Sequence, residues 1–134
     1  MGIADTAAAA IGGRSLALPS ALLAQYPELA EARWRRGGLM VRVAGWCLGQ
    51  RTVAAITLWR TVWIAPECDL APELLLHELR HVHQFEASAT FPLSYLWETL
   101  RRGYVRNRYE VDARTFASQR VRQTFASAAS NLNG

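Results

Sequence analysis

Apolar positions change their spacing along the chain, and the change marks where helices follow strands. From Leu74 to Glu86 the run LLLHELRHVHQFE holds neither glycine nor proline. Within it Leu75, Leu79 and Val82 recur at the 3.6-residue period of a helix with one buried stripe. Pro72 suits the first turn of that helix, where its missing N–H costs nothing, and Glu73 puts negative charge near the positive end of the dipole. A second helical pattern opens at Asn107. Glu110, Ala113 and Ala117 share one face there, with Phe116 nearby, and the alanines let a second helix approach closely. Upstream the period shortens. Residues 53–58 and 61–64 are rich in β-branched and aromatic side chains and predict two strands with a tight joint at Trp59-Arg60. Residues 40–43 alternate and predict another strand, followed by a connector over 44–48. Residues 20–36 have helical spacing through Leu22, Leu23 and Leu29, broken by Pro27 and closed by Arg33, Arg35, Arg36 and two glycines. Strands first and helices after predict an α+β domain, a small β-sheet or hairpin packed on the helix that starts at Pro72.

At 134 residues the chain suffices for one domain. The pattern divides it into a flexible N-terminal segment over residues 1–20, a single compact domain over 21–125 and a frayed tail over 126–134. Between the two long helical patterns, residues 85–100 carry Phe91, Leu93, Tyr95, Leu96 and Trp97, a heavy aromatic load for a connector. Packing beneath the two helices accounts for most of them; the alternative is an exposed surface for a protein partner or a membrane interface.

The chemistry lies in His77-Glu78-Leu79-Arg80-His81. Residues four apart stack on one helix face, so His77 and His81 can hold one ion between them, and Glu78 looks into the same cleft from its edge. That is the HExxH spacing of zinc hydrolases, in which the carboxylate serves as general base. A catalytic zinc keeps three protein ligands and an open fourth position. His83 points to another side of the helix, so the third ligand falls to a downstream acid: Glu86, Glu98, Glu110 or Asp112. Glu110 has a competing reading as the N3 residue of a capping box begun at Asn107.

HExxHxxQ over residues 77–84, followed by a glutamate helix reading Glu110-Val-Asp-Ala113-Arg-Thr-Phe116-Ala117, resembles the compact bacterial gluzincin metallopeptidases. The likeness spans about residues 50 to 120 and is specific at His77, Glu78, His81, Gln84 and Glu110. It implies a zincin-like fold, a Zn2+ site completed by Glu110, and a zinc metallopeptidase that hydrolyses peptide bonds in a peptide or protein substrate with Glu78 as its catalytic base. It also implies that the strand over 61–64 offers an exposed edge to an extended peptide. One position departs from the pattern. Many gluzincins place an aspartate four residues after the ligand glutamate, and this chain has Arg114. Tyr104, Tyr109 and His83 are the candidate donors to the substrate carbonyl oxygen. The rival reading is a non-catalytic metal-binding or protein-interaction module that retains a zincin-like site.

Charge and cysteine usage narrow the setting. The net charge is +4 and all fifteen basic residues are arginine, scattered rather than gathered on a recognition helix, so nucleic acid is not an expected partner. The first residues lack the basic stretch of a secretory signal, and no apolar run approaches the length of a transmembrane segment. Cys47 and Cys68 supply no disulfide framework and read as buried or idle thiols. Together these features lead to an expected cytoplasmic location.

Overall fold

The computed structural model describes residues 2–3, 11–42 and 54–134. A four-stranded mixed sheet packs against helices, in the order β1 (Arg14–Ser15), α1 (Ser20–Gln25), a 3-10 turn (Pro27–Glu31), β2 (Arg33–Arg36), β3 (Ala55–Leu58), β4 (Thr61–Ile64), α2 (Pro72–Ala87), α3 (Phe91–Arg102) and α4 (Arg108–Leu132). Among the described residues the strands lie in the order β1-β2-β4-β3. The β2/β4 pair is parallel and the two outer pairs are antiparallel.

Alternation along the strands builds the floor of the core. Trp34 on β2 and Val62 and Ile64 on β4 turn inward and meet Leu75, Leu76, Leu79 and Val82 of α2. The helical stripe expected from the sequence is therefore the buried one, with Leu76 added to it. Burying a leucine fully is worth roughly 1.5–3 kcal/mol, so these four side chains anchor α2 on the sheet. The other flank of α2 receives α4, whose Ala113 and Ala117 are fully buried. Their small side chains bring the two helix backbones together.

The hairpin β3–β4 turns through Trp59-Arg60 without glycine or asparagine. Trp59 takes a left-handed φ of 53°, as the favoured two-residue turns require. Its ring lies 5.5 Å from that of Phe85 on α2, a contact that helps hold the unusual conformation. β4 sits between β2 and β3, so the edge expected over 61–64 is an interior strand, and the outer strand beside α2 is β3. The reason is the parallel pairing with β2, which patterning along a single segment does not reveal.

Three further expectations change. Arg33–Arg36 forms a strand rather than the end of a helix, because Pro27 limits α1 to Gln25 and only a 3-10 turn follows. Residues 39–42 are helical, not extended. Gly37 and Gly38, both at positive φ, turn the chain out of β2 just before them. The rest of that expected strand and its connector, 43–48, together with Val53 and Cys47, lie outside the described residues. At the ends, residues 14–15 pair with β2, and α4 continues through the stretch read as a tail as far as Leu132.

The arginines act largely as struts. Arg36 donates to the carbonyls of Ala65, Pro66 and Cys68, clamping the loop that leads into α2. Arg120 of α4 pairs with Glu28 at 2.5 Å and lies over the Tyr26 ring. Cys68 is half-buried, its thiol pushed up by burial and by Asp69.

Candidate metal centre

Two helices supply the cluster, and a third holds one of them in place. Asn107 is fully buried at the N-cap of α4, where its side-chain oxygen accepts from the Tyr109 N–H at 2.9 Å. Its amide nitrogen donates to the Tyr95 carbonyl and the Thr99 hydroxyl of α3, at 3.1 and 2.9 Å. This one side chain fixes where α4 begins relative to α3, and so aims Glu110, three residues on, at the face of α2 that carries the histidines.

His77 Nε2 lies 2.9 Å from Glu110 Oε2, and His81 Nε2 lies 3.2 Å from Glu110 Oε1. The Tyr95 hydroxyl donates to Glu110 Oε1 at 2.6 Å. The Glu110 carboxylate is thus turned to the histidines and Tyr95, not back along its own helix as a capping box would have it. His77, His81 and Glu110 each offer a ligand atom, all within 4.8 Å of one another. Two imidazole nitrogens and a carboxylate oxygen form a donor set that zinc takes readily. Atoms bound ~2.0–2.1 Å from one tetrahedral ion stand ~3.3 Å apart, so the two nitrogen–oxygen contacts would open by a few tenths of an ångström, while any donor pair near the 4.8 Å limit would draw in. The cluster can chelate a divalent metal ion.

Beyond the donors, a polar chain orients His81. Its Nδ1 meets Gln84 Oε1 at 2.8 Å; the amide oxygen can only accept, so Nδ1 carries the proton and Nε2 is left to face the cluster. Gln84 in turn donates to Asp112 Oδ2 at 2.9 Å and to the Tyr109 carbonyl at 3.0 Å. Arg80 secures Asp112 from the other side at 2.7 and 3.3 Å, holding its carboxyl below the usual carboxylate range. Asp112, one of the acids considered as a ligand, stands behind the cluster rather than in it. Glu86 pairs with Arg60, and buried Glu98 faces Arg102 and the Arg108 N–H. Arg114 donates to the Val105 carbonyl.

Glu78 is buried on α2, and its Oε2 accepts from the Thr57 hydroxyl of β3 at 2.6 Å. It is not among the clustered donors, yet its charge bears on His81, Tyr95 and Tyr104. Tyr104 is pushed up by burial and by the charges of Glu110 and Glu78, which keeps its hydroxyl a proton donor. Of the other two candidate donors, His83 points away to Glu31 at 2.8 Å, and the Tyr109 hydroxyl is taken by Arg108. Sequence reasoning missed Tyr95, which it counted with the packing aromatics. The available signal was its place between Phe91 and Glu98, on the one face of α3 that is buried.

In the metal-free chain His81 and Glu110 favour each other's charged forms. Burial opposes charge on His81, but the hydrogen bond to Glu110 and the charges of Glu78 and Glu110 outweigh it and raise its pKa to about 9. Burial likewise opposes charge on Glu110; hydrogen bonds from His77 and His81, the His81 charge and the Tyr95 hydroxyl hold its carboxyl well below the usual range. The His81 contribution to stability is full below its ordinary value of 6.5 and fades as pH rises through about 9. The Glu110 contribution is present above its ordinary 4.5 and fades as pH falls below it. The Tm of metal-stripped protein is therefore expected to fall between pH 6.5 and 9, as read by calorimetry. Saturating zinc should flatten that slope, because a ligand histidine must be neutral. A metal-free Tm that rises across the window would show that His81 is not held charged.

Comparison of the chain with protein-family models, with curated proteins and with solved structures finds no match. What the site can do is read from its own geometry.

Proposed function

We propose that the protein is a zinc-dependent peptidase of gluzincin type, with His77, His81 and Glu110 as metal ligands and Glu78 as general base. One observation carries the reading: three donors converge among the described residues, while a further buried carboxylate on the same helix stands outside the donor set. A structural zinc site is usually closed by four protein ligands and has no use for such a group. This favours hydrolysis over the non-catalytic module.

Zinc held there supplies a Lewis acid that acidifies water and polarises a carbonyl. Glu78 takes a proton from the attacking water at a carboxylate oxygen and passes it to the departing amine nitrogen. Thr57 fixes the carboxylate through Oε2, a contact that does not use Oε1. Tyr104, half-exposed and protonated, donates to the carbonyl oxygen as charge builds there. Tyr95 is committed to Glu110 and serves to orient it. An extended peptide fits along β3, which pairs only with β4 among the described strands and touches the site through Thr57.

The test is the zinc content of protein purified with metal present, together with cleavage of a mixed peptide library. Near one zinc per chain and cleavage that a chelator stops are expected. No tight zinc would overturn the reading; zinc without cleavage would leave the metal-binding module.

A further inference from the structure

Helix α3 has two apolar faces, and only one is covered. On the packed side Phe91 and Glu98 are buried and Tyr95 reaches Glu110. On the other side Leu93, Leu96, Trp97 and Leu100 are 71, 55, 59 and 74 % exposed. Spacings of three, four and seven residues set these four within an arc of ~100°, directly opposite the packed face. Val105, just past the Gly103 turn that ends α3, is also exposed. Most of the aromatic and aliphatic load expected to fill the core thus stands outside it, because α3 packs inward on one face alone. Single exposed leucines are ordinary; three leucines and a tryptophan on one helical stripe mark a contact surface.

Charge says what the surface meets. Across residues 88–109 the basic groups are Arg101, Arg102, Arg106 and Arg108, against the single acid Glu98. That acid is buried and paired with Arg102, so it offers no negative charge outward. Arg101 lies over the Trp97 ring at 5.9 Å, which places a cation at the border of the apolar stripe. An apolar face of leucine and tryptophan bordered by arginine is the composition of a helix that lies in the headgroup region of an anionic bilayer. A second copy of the chain would bring the same arginines together with no exposed carboxylate in the segment to meet them.

We propose that α3 docks this protein on anionic lipid surfaces through Leu93, Leu96, Trp97 and Leu100, with the arginines at its C-terminal end meeting lipid headgroups. No helix among the described residues is long and apolar enough to cross a membrane, so docking is peripheral. Because Tyr95 ties α3 to Glu110, docking sets the metal cluster close behind the lipid surface. If the peptidase reading holds, the substrates are polypeptides at the bilayer; the docking itself does not depend on that reading.

The experiment is flotation of the full chain with vesicles of phosphatidylcholine alone and of equal parts phosphatidylcholine and phosphatidylglycerol, at low and high salt. The parent should float with the anionic vesicles and be released by salt. Leu96→Ser/Leu100→Ser and Arg101→Gln/Arg106→Gln should each weaken flotation about tenfold or more. All four side chains are exposed, and unchanged zinc content and circular dichroism would show that each variant is folded with its site intact. Absence of flotation with either vesicle would overturn the proposal, as would equal flotation with both or an unaffected leucine variant. A parent dimer that the leucine variant turns into a monomer, without lipid binding, would assign the face to self-association instead.

Discussion

Glu78→Gln is expected to keep its zinc and lose ~10²–10⁴-fold in turnover, the range that a positioned proton-transferring group contributes. Glutamine has nearly the shape of glutamate, and its amide oxygen can still accept from Thr57, so the contact between α2 and β3 survives. What it lacks is a carboxylate that takes a proton from water. The three clustered donors do not include Glu78, so the metal should stay. Steady-state cleavage rates and zinc content, measured on the same preparations, separate the two effects. Undiminished cleavage by the variant would remove Glu78 from the mechanism and send the search for a base elsewhere.

Glu110→Ala should instead empty the site. Zinc sites built from protein ligands bind with ~10–16 kcal/mol in all. One of three ligands is worth roughly a third of that, ~3–5 kcal/mol, or ~10²–10⁴-fold in affinity. The variant also strips His77, His81 and Tyr95 of their shared acceptor. Its metal-free stability should then decline less between pH 6.5 and 9, because only the Glu78 charge and Gln84 remain to hold the His81 proton. Competition with a chromophoric chelator gives the affinity, and calorimetry gives the pH slope. Retention of parent affinity would move the third ligand away from Glu110.

Much of the site was legible because it is written in short-range spacing. His77 and His81 are one turn apart, and the period that stacks them also buries Leu75, Leu79 and Val82. Glu110 was legible through Ala113 and Ala117, whose size marks a close helix–helix approach. Long-range facts were not. The parallel pairing of β2 with β4 joins segments about thirty residues apart in the chain and moves the free edge from β4 to β3. Thr57 gains its meaning only when β3 lies beside α2. Asp112, weighed as a ligand, reaches His81 by way of Gln84, a relay of two side chains that no single-helix projection contains. The aromatic segment misled because composition cannot say which face of an amphipathic helix finds a partner.

The His77–Glu110 contact spans 33 positions of chain. A metal shared by these residues is a cross-link that closes a loop containing the whole of α3. Loop closure lowers the entropy of the open chain, so segments between the two anchor points gain resistance to local opening from a bond they do not themselves make. Helix α3, which buries only Phe91 and Glu98, would then take part of its persistence from an ion held by its neighbours.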